Sequence, residues 1–149
     1  MAGSQRTADS AADSPDEVSA IIPVGPGEEP WTADELAEVR AELQGEVARM
    51  ERKLVVAEAN LHALLAEGAD GAGRDPADVG SSNFERDQGM SLAANAREML
   101  EQGQLALRLF DDGNYGVCEV CGQPIGKARL QAFPRATMCV VCKQRSERR

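Results

Sequence analysis

Four cysteines are the residues of this chain best placed to do chemistry. Cys118 and Cys121 form one Cys-x-x-Cys pair, Cys139 and Cys142 form a second, and seventeen residues separate the two pairs. That spacing reads as a zinc site. Each Cys-x-x-Cys can turn back on itself so that both sulfurs reach one ion, and two such knuckles supply the four ligands of a closed, tetrahedral Zn2+. Gly122 follows the first pair directly, where glycine tolerates the left-handed backbone that bends amide groups toward sulfur. With all four thiolates on the metal no position is left for an activated water, so the site predicts one structural zinc and argues against hydrolysis. The competing chemistries are two disulfides or a thioredoxin-like redox pair. The spacing, and an N-terminus with no apolar leader region, favour the metal.

Little else in the chain suggests catalysis. No phosphate-cradling glycine loop, Ser/His/Asp set or spaced pair of catalytic carboxylates is visible, and His62, the only histidine, lies beside a seam leucine as a helix-surface residue. The expectation is a protein that is not an enzyme. Three phenylalanines, one tyrosine and one tryptophan in 149 residues are few for a large globular core. Alanine, leucine, glutamate and arginine dominate instead, a composition suited to long helices packed through a narrow seam, with the metal stabilising a small lobe. No apolar run is long enough to span a membrane. A cytoplasmic protein is expected, where thiols stay reduced.

The formal charge of -9 is unevenly spread: from Tyr115 onward seven cations face Glu119 and Glu147, a net of +5, which leaves -14 for the rest. Four thiolates on one Zn2+ add a formal charge of about -2 to that basic lobe. An acidic body of this size is repelled by a nucleic-acid duplex, so no sequence-specific DNA partner is expected.

The elements that must position the cysteines follow in chain order. Residues 1–30, rich in Ser, Ala, Asp, Gly and Pro, read as a disordered acidic tail whose one sticky patch is Ala20 to Val24. Thr32 and Glu35 form a capping box, and Trp31 before them suits a hydrophobic staple against Leu36. Leu36, Leu43, Val47, Met50, Leu54, Ala57, Leu61 and Leu64 then recur at heptad spacing, with Arg40 in one seam position. A helix to Glu67 would be about 50 Å long. Glycines and Pro76 at about 68–82 predict a connector, with Asp70, Asp75 and Asp78 on it. A second helix is expected from Ser82 or Asn83, carrying Leu92, Ala96, Met99, Leu100, Ala106, Leu107 and Phe110, bending at Gly103 and stopping at Asp111-Asp112-Gly113-Asn114. Neither helix can bury its stripe alone, so the two fold back on each other. The predicted fold is mainly α: an antiparallel coiled-coil hairpin over 31–113, a four-cysteine zinc-finger lobe over 114–149 and the tail.

The C-terminal stretch also carries a resemblance. Tyr115-Gly116, Cys118-x-x-Cys121-Gly122, Ile125, Arg129-Leu130, Ala132, Pro134, Ala136 and Cys139-x-x-Cys142 resemble the zinc-finger signature of the DksA/TraR family of bacterial transcription regulators. The resemblance implies a regulator that binds RNA polymerase directly, its coiled coil entering the secondary channel and its zinc lobe resting on the rim; a monomer is expected. Family members of the DksA type carry Asp-x-x-Asp-x-Ala at the hairpin tip. Here Asp75 and Asp78 match it by position, and Gly80 stands in place of the alanine. The resemblance makes these aspartates effectors that alter open-complex stability. It makes Lys127 and Arg129 contacts for polymerase or for the alarmone guanosine tetraphosphate. Two other readings of the residues remain: a nucleic-acid-binding zinc ribbon using the C-terminal cations, and a stress-associated adaptor pairing through its coiled coil.

Overall fold

A computed structural model describes residues 22–69 and 75–148, with Gly68 and Ala69 described by their backbone alone. Two long helices, α1 (Ala33–Ala69) and α2 (Pro76–Asp111), form a hairpin, followed by the short helices α3 (Lys127–Ala132) and α4 (Val140–Glu147). No strand is present among the described residues, only an isolated antiparallel bridge between Val117 and Pro124. No described helix is long and apolar enough to cross a membrane.

α1 begins as its capping box dictates. The Thr32 amide donates to Glu35 Oε2 at 2.9 Å and the Glu35 amide donates to Thr32 Oγ1 at 3.2 Å. The helix runs through Gly45 without a break. Leu36, Leu43 and Met50 are buried in the seam, as is Val39, which the heptad reading passed over. Arg40 occupies its seam position by pairing across the hairpin, its Nε 3.1 Å from Asp111 Oδ1.

α2 differs from expectation at its start and along its seam. It begins at Pro76, ahead of Ser82 and Asn83, because Asp75 caps it and proline is pre-set for a first helical position. The connector expected over about 68–82 is correspondingly shorter, since α1 reaches Ala69; Asp70, Gly71 and Gly73 lie outside the described residues. Leu92 is exposed, and Gly89, Ala93, Ala96, Leu100, Gly103, Leu107 and Phe110, buried or half-buried, recur in an alternation of four and three, with Ala106 buried beside them. Counting apolar residues alone misses this register because two of its members are glycines. α2 runs through Gly103 without a break, and the residue is buried: a Cβ there would stand 2.9 Å from Val47 Cγ2. A Cβ on Gly89 would meet Leu64 and Leu61 at 3.4 and 3.5 Å. Small residues on α2 thus admit the branched side chains of α1. The helix ends in a Schellman motif, with Gly113 at φ 76, its amide donating to the Phe110 carbonyl, and the Asn114 amide donating to that of Leu109.

The core lies at the open end of the hairpin and is shared by three parts of the chain. Leu36, Val39, Leu43, Ala106 and Phe110 of the helices pack with Tyr115, Ile125 and Leu130 of the lobe and with Ile22 and Trp31 of the segment before α1. The tail assigned to residues 1–30 is therefore corrected from Ile22 onward, where the chain packs; residues 1–21 lie outside the described residues. Ile22 is driven in by its apolar surface and fits against Gly116, whose Cβ would lie 3.2 Å from Ile22 Cγ2.

Two glycine substitutions separate packing from propensity. Gly80→Ala, on α2 with nothing within 4 Å of the new methyl, should stabilise the protein by up to about 1 kcal/mol. Gly103→Ala gains the same helix propensity yet should destabilise by about 1 kcal/mol or more, because the seam must open against Val47. Thermal unfolding checks both; a Gly103→Ala protein that melts higher than wild type would show the seam to be looser than described.

Candidate metal centre and hairpin tip

The two knuckles meet because each is fixed by its own backbone. At the first, the Cys118 amide donates to the Gln123 carbonyl at 2.8 Å and the Gly122 amide donates to that of Cys118 at 3.0 Å, with Gly122 at φ 73. At the second, Cys139 is the N-cap of α4 and Cys142 lies in its first turn. The strands of chain are tied by the Glu119 amide donating to the Thr137 carbonyl at 2.9 Å and by Thr137 Oγ1 donating to Glu119 Oε1 at 3.2 Å. Tyr115 is buried beneath, its hydroxyl donating to the Pro134 carbonyl at 2.7 Å. Burial, and then the charge of Glu46, push the Tyr115 hydroxyl's pKa well above its ordinary value.

All four sulfurs lie within 4.8 Å of one another, with Cys121 and Cys139 3.8 Å apart. Thiolates about 2.3 Å from a tetrahedral zinc would have sulfur–sulfur edges of about 3.8 Å, so the cluster fits the ion. Gathering all four sulfurs at one point suits one shared ion better than two separate disulfides. Burial pushes the Cys118 thiol up, but amides of Cys121, Cys139 and Val120 aimed at its sulfur outweigh it and bring the thiol down to about 6. Cys142 is pushed up to about 12, first by its hydrogen bond with Cys139, then by burial and the other two sulfurs. Thiols this close cannot all ionise unless a cation among them offsets their repulsion.

The lobe is joined to the hairpin by a residue that the sequence reading left in the tail. Glu28 accepts from the amides of Lys127 and Ala128, both at 2.8 Å, and from that of Gly25 at 2.6 Å. It thereby caps α3, whose own N-cap, Gly126, has no side chain to offer. No local pattern reveals this, because donor and acceptor are about a hundred residues apart; the only clue is a helix starting at Lys127 without a capping residue.

Lys127 and Arg129, expected as outward contacts, are engaged within the protein. Lys127 Nζ lies 2.6 Å from Glu35 Oε2 and 5.6 Å from the centre of the Trp31 ring. Trp31 is thus buried beneath the lobe as well as next to α1, a larger role than a local staple. Arg129 Nε donates to the Met138 carbonyl at 3.1 Å and its guanidinium lies over Phe133. Arg129 also lines a cleft of about 390 Å³ with Arg135, Lys143, Glu46 and Gln102. Arg135 Nε is 2.9 Å from Glu46 Oε2, a further tie between lobe and hairpin. His62 is exposed on α1.

Asp75 and Asp78 lie at the opposite end and are both exposed. α2 spans 36 residues from this tip to the lobe, and about 40 Å of hairpin separates Arg135's partner Gln102 from Pro76. The structure therefore keeps the metal centre and the acidic tip apart on one rod.

A helical hairpin closed at its base by a four-cysteine finger defines the class. Residues 113–148 match the family model described as "Prokaryotic dksA/traR C4-type zinc finger". The "RNA polymerase-binding transcription factor DksA" of Caulobacter vibrioides is 44% identical over 75 residues, covering 50% of this chain and 53% of that protein. "General stress protein 16O" of Bacillus subtilis is 34% identical over 105 residues, 70% of this chain and 60% of that protein. Among solved structures, transcription factor DksA2 from Pseudomonas aeruginosa superposes with a TM-score of 0.61 at 26% identity, covering 77% of this chain and 84% of that one. The chain spans about half the length of the curated DksA relatives it matches. Its C-terminal finger is of the DksA/TraR type, and its four cysteines form a cluster that fits one structural zinc.

Two measurements test the site. Cys118→Ser should lose stoichiometric zinc and, because Tyr115 and Trp31 share the core above the knuckles, change tryptophan fluorescence as well; retained zinc with an unchanged melting profile would refute the ligand set. The pH dependence follows from Glu28 and Glu35. The amides of Ala128 and Lys127 hold the Glu28 carboxyl below its ordinary 4.5, and the Lys127 ammonium and Thr32 amide do the same for Glu35. Their folded pKa values lie below the unfolded ones, so the stability they add is fully present above the ordinary carboxylate range and is lost as pH falls through the lowered values. Glu28→Gln should lower the melting temperature at neutral pH and flatten its acid dependence; an unchanged acid slope would show that the strap does not titrate with folding.

Proposed function

We propose that this protein is a transcription regulator that binds RNA polymerase directly and acts through the tip of its hairpin. The observation that carries the reading is an exposed acidic tip held about 40 Å beyond a zinc-locked base. Such a shape suits a narrow passage in a large partner better than a flat surface. The names of the DksA relatives, RNA polymerase-binding transcription factors, supply the partner. In this reading the coiled coil enters the secondary channel, Asp75 and Asp78 reach toward the active site, and initiation changes through open-complex stability. The zinc lobe does no chemistry: it holds the hairpin base and rests on the channel rim. Arg129, on its cleft with Arg135 and Lys143, is the finger's contact for polymerase or for guanosine tetraphosphate, while Lys127 supports it from within.

The charge distribution favours this over a nucleic-acid-binding ribbon. Lys127, Arg135 and Lys143 pair with Glu35, Glu46 and Glu147 respectively. Cations spent on carboxylates release few counterions on meeting a phosphate backbone.

Zinc-loaded protein should bind core polymerase or holoenzyme at micromolar concentration and alter transcription from a promoter with a short-lived open complex. The Asp75→Asn/Asp78→Asn double variant should bind but leave transcription unchanged. Failure of the wild type to bind would remove the reading. Retention on duplex or RNA that falls steeply with salt would replace it with the ribbon.

A further inference from the structure

A groove of about 530 Å³ runs between the two long helices, one turn beyond Glu46 and Gln102, where the finger's Arg135 packs. Its floor is Met50, Val56, Leu92, Ala96 and Met99. Val56 and Leu92 are 58% and 59% exposed, so the hairpin leaves apolar surface uncovered on this flank. The rim is cationic. Arg52 and Lys53 stand on it, and among the described residues neither makes a hydrogen bond or an ion pair. Arg40, Arg49 and Arg97 of the same hairpin are each paired with a carboxylate. No described carboxylate lines the groove, although the chain as a whole carries a formal charge of -9. An apolar floor beside unpaired cations suits a segment that carries apolar and acidic side chains together.

We infer that the occupant of this groove is the chain's own segment 9–21, with Val18 on the floor and Asp13, Asp16 and Glu17 at the cationic rim. The segment lies outside the described residues, and its sequence has the chemistry required: Asp9, Asp13, Asp16 and Glu17 with no cation among them, and Val18, Ala20 and Ile21 as its apolar part. Its tether has the right length. Ile22 is fixed in the core with Leu43 and Ala106. From Leu43, Met50 lies about 10 Å and Lys53 about 15 Å farther along α1. A chain leaving Ile22 in extended form reaches about 13 Å at Val18, about 17 Å at Glu17 and about 30 Å at Asp13. A separate protein loses its translational freedom on binding here, whereas a segment anchored at Ile22 has already done so. Any partner that takes this flank of the rod has to displace the segment first.

The test uses full-length, zinc-loaded protein isotope-labelled at its methionine methyls and read by NMR, since Met50 and Met99 line the groove while Met90 and Met138 lie outside it. Asp13→Asn/Asp16→Asn/Glu17→Gln should shift the Met50 and Met99 signals and leave those of Met90 and Met138 in place. Added salt should move the wild-type signals the same way, because exposed charge pairs are screened. Zero-length carbodiimide coupling should join Lys53 to Asp13, Asp16 or Glu17 within one copy, and that link should be lost in the triple variant. The inference is overturned if the triple variant leaves the Met50 and Met99 signals where they were, or if Lys53 links only to carboxylates of the hairpin; the groove then belongs to another protein. Links between differently labelled copies in a mixed sample overturn it in favour of a second copy of the chain.

Discussion

Phe110, in the last turn of α2, and Tyr115, the first large residue of the finger, pack with ring centres 5.4 Å apart and ring planes tilted by 56°, and the core of the protein is built around that contact. A finger of this size cannot bury enough apolar surface to hold itself together, which is why metal ligation commonly supplies the deficit in small lobes. Here the deficit is met twice: by zinc on the outer side and by the hairpin base on the inner side, where Leu36, Leu43 and Ala106 complete the core. Tyr115 connects the two, since its ring packs on the helices while its hydroxyl fixes the turn at Pro134 that leads to the second knuckle.

The distal hairpin is a cantilever from this base. Its seam is asymmetric, with leucine and valine on α1 facing glycine and alanine on α2, so the helices approach closely at little side-chain volume. Toward the tip the seam residues change from buried to half-buried and several large apolar side chains, Val56, Phe84 and Leu92 among them, face solvent. Rigidity is thus concentrated at the finger end, while the tip depends on local devices such as the Asp75 cap.

Electrostatics follow the same plan. The sequence is acidic overall with a basic C-terminal lobe, and folding turns much of that basic charge inward. Lys127 is only 13% exposed, held between Glu35 and the Trp31 ring, and Arg135 faces Glu46. These pairs join elements far apart in sequence and are shielded in part from solvent, unlike the surface pair of Lys143 and Glu147 within one turn of α4. What the molecule shows to a partner is therefore more acidic than the lobe's composition suggests.

The sequence by itself determined the metal centre, both ends of the hairpin and the fold class, because each is encoded locally: Cys-x-x-Cys pairs, the Thr32 and Glu35 box, the Asp112-Gly113-Asn114 stop and the heptads of α1. The start of α2 was legible too in Asp75-Pro76, but the glycines around it masked the cap. Tertiary structure alone decided three matters. It showed that Gly89 and Gly103 are seam residues, since only the facing Leu61, Leu64 and Val47 reveal why a side chain is missing. It drew Ile22 to Trp31 out of an apparent tail, because their burial depends on Gly116 and the finger core. It set Glu28 on the amides of Lys127 and Ala128, for a carboxylate's partners across a hundred residues are chosen by packing and leave no periodic trace in the chain.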